Sequence, residues 1–220
     1  MNSKNIKELS IGFSVMVVMI AIVVFSIQLN KPPEAIAADA PKHVFSGERA
    51  MIHIKQLSAE KHPIGSPANA RVREYIIEEI KKLGFKPQVQ KTEVFYSFSG
   101  KNVAGTVSNV MVRLPGTDNS KAVLLMGHFD SMPDSFGASD NGSGIATLLE
   151  TLRLLSTQEQ LKNDIILLFN DGEEVGLLGS KAFVEQHAWA KDVGLALNFD
   201  AAGTSGQVFM FETSEENNWI

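Results

Sequence analysis

The chain has 220 residues, 44% of them hydrophobic and 20% charged, with a formal net charge of -5. That supplies one core of ordinary size with an appendage, and the mildly acidic balance without a basic block argues against a nucleic-acid binder. Cysteine is absent, which excludes disulfides and thiolate metal sites and leaves His, Asp and Glu to hold any metal.

Leu9 to Asn30 carries no charge, and Lys4 and Lys7 precede it. About 20 apolar residues span a hydrocarbon core, and the lysines place the N-terminus inside. Residues 1–30 are therefore expected to form a cytoplasmic tip and membrane anchor, with the rest extracytoplasmic. The rival is a cleaved signal peptide ending near Ala35-Ile36-Ala37, which would give a secreted protein. Signal h-regions are shorter, about 7–15 residues, which favours the anchor. Residues 31–44, rich in Pro and Ala, read as a stalk, and residues 45–220 as the folded domain.

Arg49 to Leu57 has helical periodicity. His62 to Pro67 is a loop by its Pro and Gly content. Asn69 to Leu83 is an amphipathic helix with Val72, Tyr75, Ile76, Ile80 and Leu83 on one face, and Gly84 stands where a C-terminal cap belongs. Val89–Phe98 and Val107–Leu114 read as strands, and Ala122–Met126 as a short buried one. Gly144–Leu155 is a helix, Ile165–Phe169 a strand and Gly179–His187 a helix. Val193–Phe199 and Val208–Phe211 are further strands. Strands alternating with helices imply a three-layer α/β/α sandwich around a mixed, largely parallel sheet.

The residues suited to chemistry stand just beyond apolar strands or at a helix start. His128 and Asp130 follow Val123–Met126. Asp171, Glu173 and Glu174 follow Ile165–Phe169, and Asp200 follows Leu195–Phe199. Ser139-Asp140-Asn141-Gly142-Ser143-Gly144 opens a helix. Ligands of open α/β sheets bind beyond the carboxyl ends of strands, so these segments would deliver imidazole and carboxylates to one place. Such a donor set suits zinc, and also admits manganese or cobalt. One member of His128/Asp130 can ligate while the other orients it. One of the two adjacent glutamates can bind metal while the other takes a proton from water. Taken singly, each segment has an ordinary explanation: a surface pair, a turn or a solvated face. Four of them at matching positions do not.

The runs Gly127-His128-Phe129-Asp130-Ser131, Gly137 to Gly144, Asn170 to Ser180 and Asn198-Phe199-Asp200 together resemble the di-zinc aminopeptidases of peptidase family 28, clan MH. The nearest flavour is the membrane-anchored branch, similar to the endoplasmic-reticulum metallopeptidase and vacuolar membrane protease type. The resemblance implies a zinc exopeptidase-like fold, a peptide substrate and two zinc ions. It assigns His128 and Asp200 to one zinc, Asp140 as the bridge, Glu174 to the second zinc, Glu173 as general base and Asp130 as the partner of His128. The family's second zinc takes a further His from a loop beyond these positions, and this chain stops at Ile220. The resemblance therefore implies a C-terminally truncated domain with an incomplete second site, an exposed sheet edge and weak or no activity of its own. His43, His53, His62 and His187 are expected at the surface. Two alternatives share the fold: a single-zinc glutaminyl-cyclase-like acyltransferase and a non-catalytic receptor or scaffold.

Overall fold

The computed structural model describes residues 3–118, 121–201, 203, 206, 208, 210 and 212–214. The chain divides into two units, Ala35–Gly203 and Met1–Glu34 with Thr204–Ile220. Helix α1 spans Ser3–Leu29. Its 20 residues from Ser10 to Leu29 are long and apolar enough to cross a membrane, since 1.5 Å per residue reaches about 30 Å. Of the expected strand Val208–Phe211, Phe209 and Phe211 lie outside the described residues, and Val208 and Met210 belong to no strand.

The second unit is built in chain order from α2 (Gly47–Leu57), α3 (Pro67–Lys82), β1 (Gln88–Phe98), β2 (Lys101–Leu114), β3 (Ala122–His128), α4 (Gly142–Leu155), β4 (Ile165–Asn170), α5 (Leu178–Gln186), a 3-10 turn (Ala188–Asp192) and β5 (Val193–Asn198). Ser46 caps α2 and Ser66 caps α3, each hydroxyl accepting a first-turn N–H, and Pro67 sits in the first turn of α3. These side chains satisfy backbone donors that have no partner inside the helix. Helix α3 ends at Gly84, whose φ of +86 closes the turn.

The sheet is mixed, in the order β1-β2-β4-β3-β5. The β1/β2 and β2/β4 pairs are antiparallel, and β4, β3 and β5 run parallel. Period-two alternation divides the apolar strands between two layers. Val110, Val112, Ile165, Leu167 and Phe169 face α3 and α4, where Ile76, Ile80, Ile145, Leu148, Leu149 and Leu152 complete the larger core. Met111, Ala122, Leu124, Ile166 and Leu168 meet Phe183 of α5 on the other face. After β4 the chain crosses back past β3 to form β5. The order thus reverses at β3, and crevices open at such points beyond the strand ends. Among the described residues, strand β5 is one edge of the sheet, and its Leu197 is 37% exposed.

Three further expectations differ from the structure. Strand β2 begins six residues before Val107, because a two-residue turn at Ser99-Gly100, both at positive φ, joins β1 to β2 in one long hairpin. The outer half of that hairpin is exposed, so no apolar run announces it. The folded unit also begins at Ala35 instead of Phe45, taking in ten residues read as stalk. Glu150 on α4 is fully buried; it accepts from the Ser46 N–H and pairs with Arg49 and Arg153. The two guanidinium groups donate to the carbonyls of Ala38, Ala40, Lys42 and Val44. Pro and Ala content could not reveal this docking, because it runs through main-chain oxygens. Thirdly, His62 is 2% exposed, not a surface residue. Its N–H donates to Ser131 Oγ, its carbonyl accepts from Ser131 N, and its Nδ1 bonds Glu60 O at 2.7 Å. His53 meets the Tyr75 hydroxyl at 2.6 Å, and His187 stacks on Phe183. Both are half-buried, and only His43 of the four is exposed.

Candidate metal centre

Strand β3 ends in His128, whose side chain is 3% exposed. The next residue, Phe129, turns into the larger core and anchors to β4 through its N–H on Asn170 O. Asp130 therefore falls on the same side as His128 and is completely buried. His128 Nδ1 lies 3.0 Å from the main-chain oxygen of Asp130 and 3.5 Å from its Oδ1. That leaves Nε2 as the outward nitrogen.

Around Nε2 stand Asp140 Oδ1 at 3.1 Å, Asp200 Oδ1 at 3.6 Å and Glu173 Oε2 at 3.8 Å. His128, Asp140 and Glu174 each offer one ligand atom, all lying within 4.8 Å of one another. Among the described residues, no other histidine joins this group. Asp171, singled out with the others in the sequence, turns away from it. Its carboxylate accepts from Ser108 N and Asn69 Nδ2, and its own N–H donates to Asn109 Oδ1. Asp171 ties α3 and β2 to the end of β4.

The backbone that delivers these groups depends on residues whose roles the sequence does not announce. Asn141, read as turn chemistry, holds two elements at once. Its Oδ1 caps α4 by accepting from Gly144 N, and its Nδ2 donates to Phe199 O, one residue before Asp200. Asp140 and Asp200 are thereby held to a common neighbour. A Cβ on Gly144 would lie 2.4 Å from Asn141 Oδ1 and 2.7 Å from Phe199 O, so glycine alone admits this approach. After β4, Gly172 at φ +72 turns the chain so that Glu173 and Glu174 reach the crevice. A sequence search for Asn or Gly within one residue of each candidate ligand is the signal that could have found both.

Charge is as informative as distance. Asp130, Asp140, Glu173, Glu174 and Asp200 surround a single imidazole. Burial pulls the His128 pKa down, but the hydrogen bonds it donates to Asp130 and Asp200 and the charges of Asp130 and Glu173 outweigh it and push the ring up to about 11. Asp200 is held below the usual range, chiefly by its bond to His128. Burial, then neighbouring carboxylates, raise Glu173 despite the opposing pull of His128. Burial and Asp140 raise Glu174 likewise. Carboxylates in such excess call for a cation. One imidazole nitrogen with several carboxylate oxygens is a donor set that fits zinc, whose bonds to both are about 2.0–2.2 Å.

The model of peptidase family M28 matches residues 109–220. A vacuolar membrane protease of Yarrowia lipolytica is 34% identical over 90% of this chain and 22% of the relative, and one of Candida dubliniensis is 36% identical over 74% and 18%. The chain thus spans about a fifth of the length of the curated relatives it matches. Among solved structures, a zinc aminopeptidase from Bacillus subtilis superposes with a TM-score of 0.63 at 17% identity, covering 73% of this chain and 70% of that one. A Porphyromonas gingivalis glutaminyl cyclase gives 0.60 at 23%, covering 72% and 60%. At these identities the superpositions speak for the fold: a mixed sheet with helices on both faces, as in zinc exopeptidases.

Proposed function

Because this chain belongs to peptidase family M28, we propose that it is the zinc-binding part of an aminopeptidase, releasing N-terminal residues from peptides by attack of water. The observation that carries this reading is the meeting of His128, Asp140, Glu174 and Asp200 beyond the parallel strand ends, with Glu173 beside them. His128 and Asp200 would hold one zinc, Glu174 a second, and Asp140 would be shared. Zinc bound there supplies a Lewis acid that polarises the peptide carbonyl and lowers the pKa of water. Glu173 takes the proton of the attacking water and passes it to the departing amine. Asp130, fully buried, keeps His128 aligned from behind.

Zinc titration of the metal-free chain, followed by turnover of aminoacyl-anilides and of glutaminyl peptides, tests the reading. We expect one ion held more tightly, through His128, Asp200 and Asp140. A second should be held weakly, because this reading gives it only Asp140 and Glu174, and catalytic zinc usually has three protein ligands. Anilide hydrolysis is expected to be slow but metal-dependent. Cyclisation of the glutaminyl peptide without anilide hydrolysis would select the acyltransferase instead. Zinc binding with neither activity, also in a version extended by the downstream family region, would select the non-catalytic scaffold.

Helix α1 would anchor the protein, with Lys4 and Lys7 inside and Ala35–Gly203 outside the cytoplasm. The protein is expected to stay with membranes through alkaline carbonate extraction. A soluble mature form beginning near Ala38 would mean that the segment is a cleaved signal.

A further inference from the structure

Asp130 is placed to do more than align one imidazole. Its Oδ1 accepts the Glu173 N–H at 2.9 Å and its Oδ2 the Glu174 N–H at 3.2 Å. The nearest side-chain contact to His128 is longer, 3.5 Å, and the closer partner of His128 Nδ1 is the main-chain oxygen of residue 130. A main-chain oxygen survives any substitution at that position. We infer that Asp130 is a positioning residue for the Glu173-Glu174 turn, holding both glutamates through their backbone while His128 is oriented mainly by the carbonyl. The inference rests on the peptidase reading for its catalytic consequence only.

The surroundings make such a role mechanically reasonable. Two successive N–H groups aimed at one carboxylate form an anion-binding nest. The turn is closed on its far side by Gly176 N and Leu177 N on Glu173 O, and by Leu178 N on Gly172 O. Asp130 itself stands between two fixed neighbours. Phe129 is locked in the core, and Ser131 is pinned to buried His62 in both directions. Charge-assisted bonds are roughly twice as strong as neutral ones, and these two are shielded from water, Asp130 being 0% exposed. The carboxylate thus couples the end of β3, which presents His128, to the turn that presents Glu173 and Glu174.

Amide hydrogen exchange on the metal-free full chain in detergent micelles tests this without metal or turnover, so it stands apart from any failure of the peptidase reading. In the unsubstituted chain, the Glu173 and Glu174 amides should exchange at least about 10²-fold more slowly than solvated loop amides. Free exchange there would overturn the inference whatever a variant does. Asp130→Asn keeps the volume but offers an NH2 group to one of the two donors. Its Glu173 and Glu174 amides should exchange about tenfold faster, with Leu124 and Leu167 unchanged. In the zinc-loaded enzyme, kcat should fall with KM nearly constant. Unchanged glutamate amides in Asp130→Asn would overturn the inference and show that Asp130 serves the imidazole alone.

Discussion

Glu173→Gln is expected to leave the zinc content of the loaded chain unchanged while lowering peptide turnover by about 10²–10⁴-fold, the usual contribution of a positioned general base. The side chain stands 3.8 Å from His128 Nε2, whereas the compact ligand group includes Glu174 in its place. The amide replaces the carboxylate at nearly equal volume, so the turn and its bonds to Asp130 have no reason to move. What is lost is an oxygen able to take a proton. Glu174→Gln should do the reverse, releasing the weaker ion first. Zinc content by mass spectrometry under native conditions, beside anilide turnover, separates the two. Loss of metal from the Glu173 variant would mean that the glutamates have exchanged roles.

The second large effect falls on stability. Glu150→Ala should cost about 3 kcal/mol, the low end for breaking a buried ion pair, because Arg49 and Arg153 remain 17% and 19% exposed and can recover some hydration. Glu150→Gln should cost less, since its remaining oxygen can still accept from Ser46 N. Denaturant unfolding of each variant measures the difference. The same group gives an acid dependence. Burial opposes ionisation of Glu150, but its bonds from Arg153, Ser46 N and Arg49 outweigh burial and hold the carboxyl below its ordinary 4.5. A group whose folded pKa is depressed binds fewer protons folded than unfolded, so stability rises with pH across that interval. The contribution is fully present above about 4.5 and is lost as pH falls through the folded value. The slope in this window should flatten in Glu150→Gln. A stability curve identical to that of the unsubstituted chain would show that the cluster contributes nothing to folding.

The position of the cluster explains why sequence alone places the stalk boundary too late. Arg49 lies 101 positions before Glu150, and no local pattern links it to the Glu150-Arg153 pair on α4. What they hold, the carbonyls of residues 38–44, is common to every peptide and leaves no mark on side-chain composition. His62 was misplaced for a similar reason. Its burial depends on Ser131, 69 positions away, and a loop containing Pro and Gly reads as solvated until the opposing loop is seen.

The helices and central strands were legible because each is dictated locally. The apolar face of α3, its Ser66 cap and Gly84 at its end all lie within one segment, and the strand runs Ala122–Met126 and Ile165–Phe169 are apolar throughout because both faces are covered. The candidate ligands were legible too, since a strand end followed by His-x-Asp or Glu-Glu carries its position with it. Tertiary structure alone decided the rest. It brings Asp140 and Asp200 together through Asn141, turns Asp171 away from the crevice and gives both oxygens of Asp130 to the backbone of Glu173 and Glu174. Those outcomes depend on side chains meeting main-chain atoms across 43 to 63 positions. Periodicity encodes which way a residue faces on its own element, whereas a contact of that kind is set only when the elements have packed.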